Sequence, residues 1–136
     1  MIRMKIKDIY TDQFYFTQED LTNFCNLVGD INPIHRDKFF ANKEGFKNCI
    51  VQGLFAVSVF SARASMLMPP FIEAIECSRE IKFIRPVLVE EKVLLSCEII
   101  DINKTNRIGI VREKLKNSKG QICIDSTVKT QLLKIE

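Results

Sequence analysis

Residues 51–68 read VQGLFAVSVFSARASMLM, and the placing of this stretch decides the fold. Nearly every helical face of it is apolar, and the interruptions are mainly small residues: Gly53, Ala56, Ser58, Ser61, Ala62 and Ala64. That is the pattern of a helix covered all round by other elements. Gln52, Ser58, Ser61 and Arg63 are hard to place in lipid, and Pro69 and Pro70 close the segment. The stretch therefore predicts a buried central helix in a soluble protein, with no membrane partner.

Outward from this helix the texture changes. After the two prolines, Ile75–Phe83, Val93–Ile102, Ile108–Leu115 and Ile122–Leu133 are rich in β-branched residues and partly alternate, which predicts four strands. Lys104–Asn106 and Asn117–Gly120 supply turns between them. On the N-terminal side, the chain up to Phe16 suits a leading strand, with Phe14, Tyr15 and Phe16 in sequence. Thr17 is positioned as an N-cap. Glu19 and Asp20 fall in the first turn, and Leu21, Phe24, Cys25 and Val28 at i, i+3, i+4 and i+7 predict an amphipathic helix ending at Gly29. A polar loop, Asp30–Asp37, precedes a short helix carrying Phe39 and Phe40 that Gly45 stops. Helices followed by a run of antiparallel strands make the class α+β, with one sheet wrapped around one long helix.

The 136 residues amount to one domain, and 46% apolar with 27% charged residues argues for a real core and against disorder. Twenty basic against seventeen acidic residues, scattered among one another, give a formal charge of +3, too weak to imply nucleic acid. Cys25, Cys49, Cys77, Cys97 and Cys123 are odd in number and form no C-x-x-C pair, so they read as reduced core thiols rather than as disulfides or a zinc site. The segment from Met1 to Asp8 lacks the apolar region of a secretory signal, and a cytoplasmic location is expected.

The loop from Gly29 to Asp37 holds the protein's single histidine. Asp30 and His35, five residues apart across a loop stiffened by Pro33, can point into one space, and such a pair can orient and deprotonate a water molecule. Asp30 and Asn32 equally suit ordinary turn positions after a helix, and on pattern alone the two readings stand level. Gly53 opens the central helix, where backbone N–H groups lack helical partners and the dipole is positive. Its N–H can hydrogen-bond a thioester carbonyl and stabilise an enolate oxygen. Taken alone, Gly53 fits close helix–sheet packing at least as well. One histidine cannot form a multi-histidine metal site, Ser58, Ser61 and Ser65 have no G-x-S-x-G around them, and no Gly-rich nucleotide fingerprint is present.

The loop Gly29-Asp30-Ile31-Asn32-Pro33-Ile34-His35-Arg36-Asp37 resembles the G-D-x-N-P-[ILV]-H-x-D signature of the MaoC-like, R-specific enoyl-CoA hydratase family. Phe46–Ser61, with Ile50-Val51-Gln52-Gly53-Leu54 and Phe60-Ser61, is similar to that family's central helix. Lys82-Phe83-Ile84-Arg85-Pro86-Val87 looks like its F-x-x-P-V segment.

The resemblance implies a hot-dog fold, a homodimer, and reversible addition of water to a trans-2-enoyl thioester to give the R-3-hydroxyacyl thioester. It implies Asp30 and His35 as the catalytic pair, Asn32 as support for the loop, the Gly53 amide on the thioester oxygen, and Ser61 as a polar group facing the site. The implied substrate is a thioester of coenzyme A or of acyl carrier protein, with no metal or redox cofactor. Two positions depart from the family pattern: Gln52 stands where His commonly precedes the glycine, and Glu90-Glu91 where Gly-Asp is frequent. Arg36, Lys38, Lys43 and Lys47 can meet the carrier's phosphates, although most suit a solvated helix face. Other functions for the same fold are a non-catalytic acyl-thioester-binding protein, which would lose the acid/base pair, and a thioesterase. The thioesterase usually places a carboxylate on the central helix, and Val51–Met68 has none.

Overall fold

The computed structural model describes residues 5–68, 71 and 73–133, so Pro69 and Pro70, expected to close the central helix, lie outside it. The chain runs β1 (Ile9–Phe14), α1 (Gln18–Val28), a 3-10 turn (Pro33–His35), α2 (Lys38–Lys43), α3 (Gly53–Leu67), β2 (Ala74–Phe83), β3 (Val93–Asn103), β4 (Ile108–Lys116) and β5 (Ile122–Leu132). The five strands form one antiparallel sheet in the order β1-β3-β4-β5-β2.

Local chemistry sets the helix ends. The Thr17 hydroxyl accepts from Asp20 N at 3.1 Å, a cap whose loss typically costs about 1 kcal/mol. At the other end Gly29 adopts φ +79°, a left-handed conformation in which glycine has no Cβ to strain, and the Asp30 N–H turns back to the Cys25 carbonyl. Gly29 thus stops α1 and sets the direction in which the next residue, Asp30, leaves it.

The strands alternate as their sequence pattern requires. In β3, Val93, Leu95, Cys97 and Ile99 face inward, and register stacks Leu95 on Leu115 and Leu115 on Ile124 across three strands. These side chains pack on Phe55, Phe60 and Ala64 of α3, forming one apolar core. Phe60 is fully buried, and truncating such a side chain to alanine costs about 3–5 kcal/mol.

Two expectations are corrected. The helix α3 is covered on one face only: Phe55, Ala56, Phe60 and Ala64 are buried, while Leu54, Ser58, Ala62 and Met66 are exposed. One sheet packed on one side reaches only part of a helix's circumference, so apolar composition all round does not by itself mean burial all round. Cys25, Cys49, Cys97 and Cys123 are buried free thiols, but Cys77 is exposed, because it sits at a bulge between Glu76 and Ser78 on the edge strand β2.

Candidate active site

The Asp30–Asp37 loop is built by its own side chains. Asp30 Oδ1 accepts from Asn32 N at 3.0 Å, Asn32 Oδ1 accepts from Ile34 N at 3.1 Å and opens the 3-10 turn, and Asp37 Oδ1 accepts from Phe39 N and Phe40 N to cap α2. Pro33 at the first position of the turn lacks the N–H that would otherwise need a partner. The loop is also tied to the rest of the fold. Gln18 Nε2 donates to the His35 carbonyl at 3.0 Å, Ile50 N donates to the Ile34 carbonyl at 3.0 Å, and Arg36 Nη2 donates to Asn26 Oδ1 at 2.6 Å.

These ties fix the His35 ring. Its Nδ1 lies 2.6 Å from the Ile50 carbonyl oxygen, and since a carbonyl only accepts, Nδ1 carries the proton. The neutral ring therefore presents an unprotonated Nε2. That atom lies 3.7 Å from Asp30 Oδ2, too far for a direct hydrogen bond, and both side chains are mostly buried. Two acceptors at this separation can each take one hydrogen of a single water molecule, which is the arrangement that aligns a water for deprotonation.

His35 faces an open pocket of about 320 Å³ whose walls include Ile50, Gly53, Phe83, Pro86 and Ile124. The Gly53 backbone contributes one wall. A Cβ placed there would stand 2.7 Å from Cε1 of the half-exposed Phe83 ring, so glycine lets that ring lie against the start of the helix. Gln52 Oε1 accepts from Phe55 N at 2.7 Å, and the Gln52 carbonyl accepts from Ala56 N. The Gly53 N–H is left without a partner among the described residues. Gln52 is thus the N-cap of α3, which is what its side chain does in the position where the resembling family commonly has histidine.

The structure sets Asp30 beside His35, puts His35 and Gly53 on the walls of one pocket, and gives Asn32 the supporting place in the loop. It does not bring Ser61 to this pocket. Ser61 lies eight residues along α3 from Gly53, about 12 Å by helical rise, and its hydroxyl accepts from Arg79 Nη2 at 2.8 Å. Arg79 also donates to Glu113 Oε1 at 2.9 Å and to Ser126 Oγ at 2.8 Å, and it pairs with Glu76. Glu113 is 3% exposed and its Oε2 has no hydrogen-bond partner among the described residues. Burial, opposed by the Arg79 charge, pushes its carboxyl up to about 7. The sequence reading missed this cluster. A signal was present, since Glu113 falls between inward-facing Val111 and Leu115 in an alternating strand.

Arg36 spends its guanidinium on Asn26 and on the Asp30 carbonyl, which anchors the loop; Lys38, Lys43 and Lys47 are exposed. Among the described residues, no three His, Cys, Asp or Glu side chains are gathered where a metal ion could be held. No described helix is long and apolar enough to cross a membrane.

An antiparallel sheet packed on one long helix is the arrangement of the hot-dog fold, and an Asp/His pair here stands beside that helix's N-terminus. The chain belongs to the MaoC like domain family, whose model matches residues 4–120. It is 28% identical over 125 residues to the mitochondrial 3-hydroxyacyl-[acyl-carrier-protein] dehydratase of Arabidopsis thaliana, covering 90% of this chain and 74% of that protein. It is 25% identical to the (R)-specific enoyl-CoA hydratase of Aeromonas caviae, covering 80% of this chain and 81% of that protein. Among solved structures, the (R)-hydratase of A. caviae involved in PHA biosynthesis superposes with a TM-score of 0.86 at 22% identity, over 95% of this chain and 97% of the other. The fold is thereby the hot-dog fold, and the named relatives are hydratases and dehydratases.

Proposed function

We propose that the protein adds water reversibly to trans-2-enoyl thioesters of coenzyme A or acyl carrier protein, giving R-3-hydroxyacyl thioesters. The observation that carries this reading is the His35 ring, pinned through Nδ1 to the Ile50 carbonyl with Nε2 free at 3.7 Å from Asp30 Oδ2. Gly53, whose N–H has no hydrogen-bond partner among the described residues, lines the pocket that His35 faces. The names of the relatives in the same family support it.

In the forward direction Asp30 and His35 hold a water, and one of them takes its proton as the hydroxide oxygen bonds to the β-carbon. The π electrons move into the thioester carbonyl, whose oxygen becomes an enolate held by the Gly53 N–H. The enolate collapses as the α-carbon takes back the proton, so one water is added and nothing is oxidised or reduced. Dehydration is the same path reversed. The purified protein should remove the enoyl absorbance of crotonyl-CoA, and a folded Asp30→Asn variant should do so at least about a hundredfold more slowly. A wild-type protein silent towards every chain length and both carriers would overturn the proposal.

The protein acts as a homodimer in this account. Strand β2 is a ten-residue sheet edge with most of its residues exposed, and the open face of α3 presents Leu54 and Met66. Pairing two such edges in a second copy covers the unpaired backbone groups and the apolar face together. Light scattering after size-exclusion chromatography should give twice the chain mass, and a monomer at micromolar concentration would contradict this.

A further inference from the structure

The Arg79–Glu113 cluster lines a second, smaller cavity of about 100 Å³ between α3 and the sheet, with Ser61, Ala64, Val128 and Thr130 among its walls. Its position relative to His35 can be measured on three elements. On β5, Ile124 lines the first pocket and Val128 the second; on β2, Phe83 lines the first and Arg79 the second. Each pair is four strand residues apart, about 13 Å, and register places Phe83 opposite Ile124 and Arg79 opposite Val128. On α3 the interval from Gly53 to Ser61 is about 12 Å. Helix and strands therefore agree that the two cavities lie in line along one seam, with Val57 of α3, Ile81 of β2 and Ser126 of β5 packed between them as the side chains an acyl chain reaching the far cavity has to move aside.

The end of that seam is chemically unusual. Glu113 offers a buried oxygen that no donor among the described residues satisfies, while Arg79 is already committed to Ser61, Glu76, Glu113 and Ser126. An alkyl group pushed into this space would leave Glu113 Oε2 unpaired and dry, a penalty of about 1–3 kcal/mol for such a group. A carboxylate would meet a carboxylate. A hydroxyl both donates and accepts, so it matches Glu113 whether ionised or protonated. A space of about 100 Å³ holds roughly three water-sized groups, enough for a hydroxyl and the last carbons of a chain.

We infer that the far cavity recognises a terminal hydroxyl on the acyl chain, so that the preferred thioesters are medium-chain and ω-hydroxylated. This rests on the hydratase reading for the position of the thioester at Gly53. An extended chain advances about 1.2 Å per bond, so 12 Å from the carbonyl is reached by the oxygen of a chain of about ten carbons.

The test uses binding of saturated thioesters, which needs no turnover. Isothermal titration of the wild-type protein should give a dissociation constant for 10-hydroxydecanoyl-CoA at least about tenfold below that of decanoyl-CoA. The same comparison between 6-hydroxyhexanoyl-CoA and hexanoyl-CoA should give a ratio near one, because that hydroxyl stops short of Glu113. In a Glu113→Leu/Arg79→Leu double variant the ten-carbon preference should disappear or invert; the chain-length comparison stands without it should that variant fail to fold. A ten-carbon ratio near one, an equal hydroxyl preference at both lengths, or no binding of either ten-carbon thioester would each overturn the inference. Failure of the wild-type protein to hydrate enoyl thioesters of any chain length on either carrier would count against the hydratase reading instead and leave the binding ratios readable.

Discussion

Replacing His35 by asparagine separates the two nitrogens of the ring. Asparagine Nδ2 can occupy the place of His35 Nδ1 and donate to the Ile50 carbonyl, now bonded at 2.6 Å, so the loop keeps its tie to the chain before α3. Nothing then replaces Nε2 opposite Asp30. If the ring works as a base, His35→Asn should be within about 1 kcal/mol of wild-type stability, since the hydrogen bond that would otherwise be lost from a carbonyl is kept. Its kcat should nevertheless fall by about 10²–10⁴, the usual contribution of a positioned base, equivalent to roughly 3–5 kcal/mol of barrier. His35→Ala should lose activity comparably and a further 1–3 kcal/mol of stability, having orphaned the Ile50 oxygen. Urea unfolding and the crotonyl-CoA absorbance assay on all three proteins supply both numbers. A His35→Asn enzyme retaining a tenth or more of the activity would refute the reasoning, because His35 would then be only the pin that holds the loop.

Three further outcomes follow from the geometry. Gly53→Ala sets a Cβ 2.7 Å from the half-exposed Phe83 ring, which can swing away, so stability should change by less than about 1 kcal/mol while kcat/KM for crotonyl-CoA falls about ten- to a hundredfold as the displaced ring narrows the pocket; unchanged kinetics would remove Gly53 from the site. Arg79→Met should destabilise by about 3–5 kcal/mol in urea unfolding at pH 8, where the buried Glu113 loses its counter-charge and must take up a proton against the solution pH, and a loss below about 1 kcal/mol would mean the cluster is solvated. Glu113 ionises at about 7 in the folded chain against 4.5 for a free carboxyl, so its contribution is full below pH 4.5 and is lost as pH rises through about 7. The stability of the wild type relative to Glu113→Gln should therefore decline by on the order of 3 kcal/mol over that window, and a flat or rising difference would show that Arg79 holds the carboxylate ionised throughout.

How much of this was legible in the sequence depends on how far apart the cooperating residues lie. Asp30, Asn32 and His35 fall within six positions, and their relative placement is set by local turns that Gly29 and Pro33 announce, so the loop could be read directly. Gly53 was legible as a helix start, but its close approach to Phe83 required the β2 register. The Arg79–Glu113–Ser126 contacts span 34 and 47 residues and depend on three strands pairing in one register, which alternation alone does not supply. Ser61 entered the site only through the family resemblance, whereas the structure places its hydroxyl on Arg79. The composition of α3 showed that it is apolar but not what covers it: Leu54 and Met66 are as hydrophobic as Phe60 and lie on the face this chain leaves open.

The central claim, that water is added across the double bond of an enoyl thioester, is tested most directly by identifying the product formed from crotonyl-CoA. Chiral chromatography should show 3-hydroxybutyryl-CoA of R configuration with the thioester intact. Release of free coenzyme A and crotonate, or an S product, would contradict the account.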